Sequence, residues 1–217
     1  MIPITKSIFK EIMSALEQPT CEQREADITQ EMLMLKAKKM AERGYRFNES
    51  ALEALRLYMS GYGLFVLGSV GTGKTMFFKV LRNHKGERIR IFSMHDIFGR
   101  NEVEVRELMD NLLDHELLLD DVGAEPQFNN YGVKFDILAY LVERRMESNM
   151  RTHFTTNMTR EEFLGRYGDR IADRMAEMCR SVEFSGESLR SPKANKEAVA
   201  AMERYVAVQS TPVAEVA

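Results

Sequence analysis

The sequence is poor in the residues that build disulfide frameworks and metal sites. It has two cysteines, Cys21 and Cys179, among 217 residues, and their number and separation indicate neither a disulfide framework nor a metal site. Four histidines are scattered along the chain without metal-binding spacing. We therefore expect free thiols in a reducing cytoplasm.

Long apolar runs and an excess of basic charge are also missing. No window approaches the roughly 18 uncharged apolar residues of a membrane span, and Lys6, Lys10 and Glu11 interrupt the apolar residues of the N-terminus, unlike a secretory signal. The formal net charge is -3, so contact with nucleic acid would depend on a local patch. We expect a soluble cytoplasmic protein with no membrane partner.

What the chain does have is enough apolar content, 44%, for one good core. After residue 60, apolar runs alternate with helical patterns, as in a parallel sheet. The predicted strands are 64–67, 88–94, 116–122, 153–157 and 181–184. The predicted helices are 102–114, 131–149, short helices within 159–178, and one within 191–208 before a disordered tail. We expect a doubly wound α/β sheet of five parallel strands that binds ligands at the carboxyl ends of its strands.

The first 60 residues have the periodicity of amphipathic helices, predicted at 4–16, 21–42 and 48–60. In the second helix, Ile28, Met32, Leu35 and Lys39 fall near one face, and Asn48 is placed to cap the third. Two interpretations of this segment stay open. It packs against the core, or it docks a partner, since methionine-rich amphipathic helices make adaptable contact surfaces.

The most informative stretch is GSVGTGKT at 68–75, which matches the pattern G-x-x-x-x-G-K-[ST] at every specified position between a predicted strand and a predicted helix. Its glycines let backbone N–H groups surround a phosphate, and the helix adds its positive end. Lys74 would reach the β- and γ-phosphates of ATP, and Thr75 would bind Mg²⁺. The predicted nucleotide-binding residues are Gly68, Ser69, Val70, Gly71, Thr72, Gly73, Lys74, Thr75 and Met76.

A second motif follows about 45 residues later, where the apolar run 117–119 ends in Asp120 and Asp121. Alone, this pattern is more often a strand followed by a polar turn, but its distance from the loop favours a functional interpretation. Asp120 would hold Mg²⁺ with Thr75, and Asp121 would orient or deprotonate an attacking water.

Four stretches together, GSVGTGKT, LLLDDVGAE, TTNMT and RYGDRIADRM, resemble the AAA+ ATPases of the DnaC and IstB type, which are replicative helicase loaders and transposition helpers. The resemblance covers roughly residues 61–190. It implies a P-loop NTPase core that hydrolyses ATP with Mg²⁺ as a homo-oligomer. A helical segment at 1–60 would precede this core, and a short part at 191–217, without a lid domain, would follow it.

The resemblance also implies roles for polar residues after the acids. Asn157 matches the sensor 1 position, which helps to place the attacking water. Arg170 matches the arginine finger that enters the site of a neighbouring subunit, with Arg174 as a reserve candidate; ordinary ion pairs with acids of the same helix are the alternative for both. Arg190 resembles the late arginine with a sensor 2 role. Glu125 matches the acid of the family's DDxGAE pattern, without an assigned role.

The sequence departs from the family in two places, of which the second bears on DNA. The acid pair is Asp-Asp where many AAA+ proteins have Asp-Glu, and only one helix separates the second strand from the acids. Loaders typically carry a longer excursion there, which contacts single-stranded DNA. The residues available for a DNA patch are Arg82, Lys85, Arg88, Arg90, Arg100 and Arg106.

The predicted function is that of a replicative helicase loader whose N-terminal helices grip the helicase. A transposition helper that assembles on duplex DNA and directs a transposase is the close alternative. A monomeric P-loop kinase is a remote one, because no lid arginines are found near the site. The last alternative is a scaffold that binds ATP but barely hydrolyses it.

Overall fold

The computed structural model describes residues 20–82, 89–126, 128–130, 133–186 and 188–189. The strands within these ranges are β1 (Gly63–Leu67), β2 (Arg90–Ser93), β3 (Leu117–Val122), β4 (Phe128–Asn130), β5 (Val133–Phe135), β6 (Thr152–Thr156) and β7 (Cys179–Glu183). Five of them form one parallel sheet in the order β2-β3-β6-β1-β7, and the two short strands β4 and β5 form an antiparallel hairpin. The five-stranded parallel sheet confirms the predicted fold class.

Eight α-helices and one 3-10 helix are found in the described residues. Side-chain caps mark the starts of most of them: Asn48 accepts a hydrogen bond from the Ala51 N–H at 2.8 Å, as predicted for the start of the third helical segment. The helices are α1 (Cys21–Asp27), α2 (Gln30–Ala41), α3 (Glu49–Met59), α4 (Lys74–Arg82), the 3-10 helix (Met94–Ile97), α5 (Glu102–Asp110), α6 (Ile137–Ser148), α7 (Arg160–Tyr167) and α8 (Asp169–Met178).

The predicted single helix over 21–42 is wrong. Thr29 caps a new helix by accepting a hydrogen bond from the Met32 N–H at 3.2 Å, so the segment divides into α1 and α2. The predicted apolar face of α2 is also wrong, since Met32 and Leu35 are 49% and 55% exposed. The face that packs on the core carries Leu33, Ala37 and Met40, which are buried.

The predicted helix over 131–149 starts too early. The hairpin of β4 and β5 occupies its first part, and α6 begins only after Asp136, whose carboxylate accepts from the Ala139 N–H at 3.0 Å. The helix predicted over 102–114 also ends earlier, at Asp110. The first error misses two short strands, whereas the second only moves the end of a helix.

The sheet separates two apolar clusters. One joins α2 and α3 to β1 and α4, where Leu52 and Leu55 are buried together with Phe77 and Phe78. The other packs α5, α6, α7 and α8 on the opposite face. Burial of apolar surface is the main stabilising contribution to such a fold, so α2 and α3 contribute to the same core as the phosphate loop's own helix.

None of the helices that the structure describes is long and apolar enough to cross a bilayer. Some predictions fall outside the described residues. They are the helix at 4–16, the helix within 191–208, the tail, Lys85, Arg88 and Arg190.

Candidate nucleotide-binding site

The loop 68–75 leads from β1 into α4, which begins at Lys74. Gly68 has a φ of 144°, and a Cβ there would collide with the Phe184 carbonyl, so only glycine fits. The Lys74 ammonium donates to the carbonyl oxygens of Gly68 and Ser69, at 2.6 and 3.0 Å. Burial lowers the pKa of Lys74, although Asp121 and Asp120 oppose that shift. The loop therefore holds a buried cation at its centre.

Asp120 and Asp121 both line the same cleft, although neighbouring side chains on a strand normally point to opposite faces. The backbone explains this exception. Asp121 has a φ of 59°, and the pairing of β3 with β6 shifts between Leu119 and Val122. Such a bulge re-aims a side chain. Aspartate tolerates this left-handed conformation better than most residues.

Asp120 is the acid nearest the end of the loop. Its Oδ1 accepts hydrogen bonds from the Thr75 hydroxyl at 2.9 Å and from the Thr155 hydroxyl at 2.6 Å. Burial raises the pKa of this carboxyl, and the two hydroxyl donors counteract the rise. A carboxylate beside a hydroxyl is an all-oxygen donor set, which suits Mg²⁺.

Asn157 connects the cation to the second acid. Its Oδ1 accepts from the Lys74 ammonium at 2.7 Å, and its Nδ2 donates to Asp121 Oδ1 at 3.0 Å. The residue lies directly after β6, beside the end of β3. On the other side, His95 Nε2 is 3.9 Å from Asp121 Oδ2. The predicted loop, acid and sensor residues thus form one continuous polar cluster.

The cluster lines a cleft of about 590 Å³. Gly68, Ser69 and Thr72 are not among the residues that line it, and the Thr72 hydroxyl donates to the Ser69 carbonyl oxygen at 2.9 Å. The loop residues that line the cleft are Val70, Gly71, Gly73, Lys74, Thr75 and Met76.

Five lining residues were not predicted from the sequence as part of the site: Gly44, Tyr45, Arg46, Lys79 and Leu189. The Tyr45 hydroxyl is buried and has no hydrogen-bond partner among the described residues, and burial raises the pKa of this phenol, so it stays protonated. Tyr45 and Arg46 carry no local motif. Only the path of the chain after α2 brings them to the cleft.

Phe184 and Leu189 lie alongside the loop. The Phe184 N–H donates to the Leu67 carbonyl at 2.8 Å, and the Leu189 N–H donates to the Gly71 carbonyl at 2.9 Å. Arg46 donates to the Leu189 carbonyl oxygen at 2.6 Å. Segments from both ends of the described chain therefore hold the rim of the cleft.

Arg170 and Arg174 are not part of this cleft. Both lie on α8 and donate to Glu143 Oε1 on α6, at 3.1 and 3.0 Å, and not to acids of their own helix. Arg170 is 73% exposed. An exposed pair of this kind contributes little to stability, so Arg170 can leave Glu143 at small cost.

Glu125 is buried behind the acids. Its Oε2 accepts from the Gly123 N–H at 2.9 Å, and its Oε1 accepts from the Tyr167 hydroxyl. Arg166 donates to the Gly123 and Glu125 carbonyl oxygens at 2.7 and 2.8 Å. Burial and the adjacent Glu125 raise the pKa of Tyr167, which therefore remains a donor.

Four of the six arginines and lysines of the predicted DNA patch fall within the described residues. Arg106 is paired with Glu102 at 2.8 Å, and Arg100 donates to the Asp96 carbonyl oxygen at 2.9 Å. Contact with DNA stays a prediction.

Comparison with known proteins gives one curated relative, the replicative helicase loader DnaI of Bacillus subtilis (strain 168). It is 24% identical over an alignment of 157 residues, and the match covers 61% of this chain and 49% of that protein, so the chain spans about half the length of the curated relative it matches. No family model matches the chain.

Among solved structures, the DnaC helicase loader is similar with a TM-score of 0.49 and 23% identity, over 65% of this chain and 93% of that one. A structure of two Pif1 helicases on forked DNA gives a TM-score of 0.41 and 17% identity, over 65% and 44%. The fold assignment rests on the observed strand order and not on these two similarities. The match to DnaI confirms the resemblance to DnaC-type AAA+ proteins that the motifs indicate.

Proposed function

We propose, from the premise that the chain is a DnaC-type AAA+ protein, that it is an ATP-hydrolysing replicative helicase loader. The observation that supports this best is the polar cluster in which Asn157 bonds both Lys74 and Asp121. Hydrolysis needs a cation for the phosphates and an acid for the water, in one place. The assignment to a loader, with a replicative helicase as partner, comes from the name of the curated relative.

The residues fit a nucleotide with Mg²⁺. Lys74 and the loop N–H groups would hold the phosphates, and Thr75 with Asp120 would hold the metal ion, which neutralises charge on the phosphates. Asp121 orients a water and accepts its proton, helped by Asn157. The water oxygen bonds to the γ-phosphorus while the bond to the bridging oxygen breaks, which gives ADP and phosphate.

Tyr45 and Arg46 belong to the same proposal. They line the cleft beside the loop, and the Tyr45 hydroxyl is a buried donor without a protein acceptor among the described residues. A buried polar group in that position is costly unless it gains a partner. We assign these two side chains to contacts with the nucleoside end of ATP.

Arg170 completes the proposed site in trans. It projects from α8 outside the chain's own cleft, and its exposed pair with Glu143 holds it only weakly. In an oligomer with head-to-tail interfaces, such an arginine would reach the phosphates of the next subunit and stabilise the charge of the transition state.

The test is complementation between two inactive variants, Arg170→Ala and Asp121→Asn. Each alone should lose ATP turnover, by roughly 10³-fold for the finger. An equimolar mixture should regain turnover, because about a quarter of randomly formed interfaces then combine an intact acid pair with an intact finger. Activity should also rise with protein concentration. A mixture as inactive as its components would contradict the shared site and favour a monomeric P-loop enzyme.

A pull-down on the full chain tests the partner. Recovery of the replicative helicase supports the loader, whereas recovery of a transposase instead would replace it with the transposition helper. If Asp121→Asn leaves slow turnover unchanged, the protein is a nucleotide-gated scaffold.

A further inference from the structure

One buried network in the described residues has no part in the proposed chemistry. It joins the turn after the two acids to the corner between α7 and α8, and Glu125 is its centre. Both carboxylate oxygens of Glu125 are used, one by the Gly123 N–H and the other by the Tyr167 hydroxyl and Arg166. A buried carboxylate is costly unless such partners satisfy it.

Arg166 makes the connection rigid. Besides its contact with the Glu125 side chain, it donates to the main-chain carbonyl oxygens of Gly123 and Glu125, and its guanidinium carbon lies 5.3 Å from the centroid of the Tyr167 ring. Charge-assisted bonds to a planar guanidinium fix orientation as well as distance. The turn and the corner are therefore held in one arrangement.

At one end of the network is the acid that acts on water. Gly123 is two residues beyond Asp121, and a Cβ at Gly123 would meet the Met158 side chain, which directly follows Asn157. Asp121 and Asn157 are bonded to each other. Any change in their arrangement therefore acts on the turn that Glu125 holds.

At the other end is the arginine predicted to act on the neighbour. Tyr167 ends α7, and Gly168, with a φ of 77°, turns the chain into α8, where Arg170 is the second residue. Because Glu125 accepts a hydrogen bond from the Tyr167 hydroxyl, the start of α8 keeps a fixed position relative to Asp121. Only two residues, Gly168 and Asp169, separate Tyr167 from Arg170.

We propose that Glu125 is a positioning residue that couples the two halves of the oligomeric cycle. It fixes the corner from which Arg170 projects to the arrangement of Asp121 and Asn157 in the same subunit. The state of a subunit's own γ-phosphate then determines how that subunit presents its finger to the next one. This inference rests on the proposed shared site.

The test uses the complementation mixture and changes only the subunit that donates the finger. The acceptor is Arg170→Ala, and the donor is either Asp121→Asn or the double variant Asp121→Asn, Glu125→Gln. The donor's own site is inactive in both variants, so a change at Glu125 can affect turnover only through the Arg170 side chain that the donor supplies. We expect the double variant to restore at least about 10-fold less turnover, with the KM for ATP unchanged because the acceptor's cleft is unaltered.

Glu161→Gln in the donor is the matched control, because Glu161 is an exposed acid on α7, and it should leave restoration intact. Tyr167→Phe removes a single hydroxyl from the network and gives a second variant should Glu125→Gln fold poorly. It should reduce restoration in the same direction, by about threefold.

The outcomes separate this inference from the function on which it rests. If the Asp121→Asn donor restores turnover and both network variants restore it equally well, Glu125 is only structural and the shared site stands. If even the Asp121→Asn donor restores nothing, the shared site and the inference fall together. A higher KM with unchanged kcat would also overturn the positioning role.

Discussion

Charged side chains have different partners at the two ends of the parallel sheet. At the amino ends of β3 and β6, charged side chains are bonded entirely within the chain. At the carboxyl ends of the same strands, Asp120, Asp121 and Lys74 face a cleft. Satisfied networks rigidify a fold, whereas groups that face a cleft are available to a ligand. We call the amino ends of β3 and β6 the closed end, which is built for stability, and their carboxyl ends the open end, which is built for binding.

Arg145 anchors the closed end. It is 1% exposed and its guanidinium donates to six oxygens. Burial lowers its pKa to about 10, and the acids Asp114 and Glu116 oppose the shift, so it remains charged. The acceptors are the carbonyl oxygens of Leu112, Leu113, His115, Met150 and Arg151 and the hydroxyl of Thr152.

The largest effect should follow from removing this anchor. Arg145→Met leaves several buried carbonyl oxygens without a donor and should lower the free energy of unfolding by about 3–5 kcal/mol. Denaturant unfolding at pH 7 measures it. Arg144→Met is the matched control, because Arg144 is a partly exposed neighbour paired with the surface acids Asp110 and Glu147, and it should change the midpoint less. Equal losses from both variants would mean that the closed end contributes no special stability.

A smaller effect should appear on acidification. Burial opposes ionisation of Glu116, but hydrogen bonds from His153 and Arg151 outweigh it and hold its pKa at about 2. A carboxyl with a depressed pKa stabilises the fold above its unfolded value of about 4.5, and this contribution is lost as the pH falls through the folded pKa. We expect about 2 kcal/mol to disappear between pH 4.5 and 2.

His153 adds to the loss in the same direction. Burial lowers its pKa, and its Nδ1 accepts from the Leu64 N–H at 3.1 Å, so the ring stays neutral and Nε2 donates to Glu116. The unfolded state then binds a proton below about pH 6.5 that the folded state does not. Glu116→Gln should remove the step between pH 4.5 and 2 in unfolding curves. A wild-type profile without that step would contradict the prediction.

The smallest effect should have the opposite sign and belongs to the open end. Burial raises the pKa of Asp120, so its ionised form weakens the fold. Asp120→Asn keeps an oxygen for Thr75 and Thr155 and should raise the free energy of unfolding by less than about 1 kcal/mol. ATP turnover should fall on the order of 100-fold or more, as the proposed metal ligand is lost. A marked loss of stability would place Asp120 with the closed end instead.

The open end was largely predictable because its residues belong to linear motifs at strand ends. Parallel strands bring their carboxyl ends to one edge, which places Asp120 and Asn157 beside the phosphate loop. Tyr45, Arg46 and Leu189 were not predictable, since they reach the cleft through tertiary contacts that no local pattern encodes. The roles of the site residues stay predictions.

The closed end shows why other features escaped sequence reasoning. Arg145 resembles any arginine on a helix, and its burial depends on where two loops end. The break between α1 and α2 is a capping choice at Thr29 that overrides a continuous helical pattern. By contrast, the hairpin before α6 had a signal: Val133 and Phe135 are strand formers, and turn residues precede them.

Strand β1 leaves the ribosome long before either of its neighbours. Phe65 pairs with Phe154 of β6 and with Ser181 of β7, so roughly 90 residues of translation separate β1 from its first partner. At 5–20 residues per second this takes roughly 5–20 s. During that time the phosphate loop has no neighbouring strands to support it. Competence to bind nucleotide therefore arrives late in synthesis, after β6 and β7 have emerged.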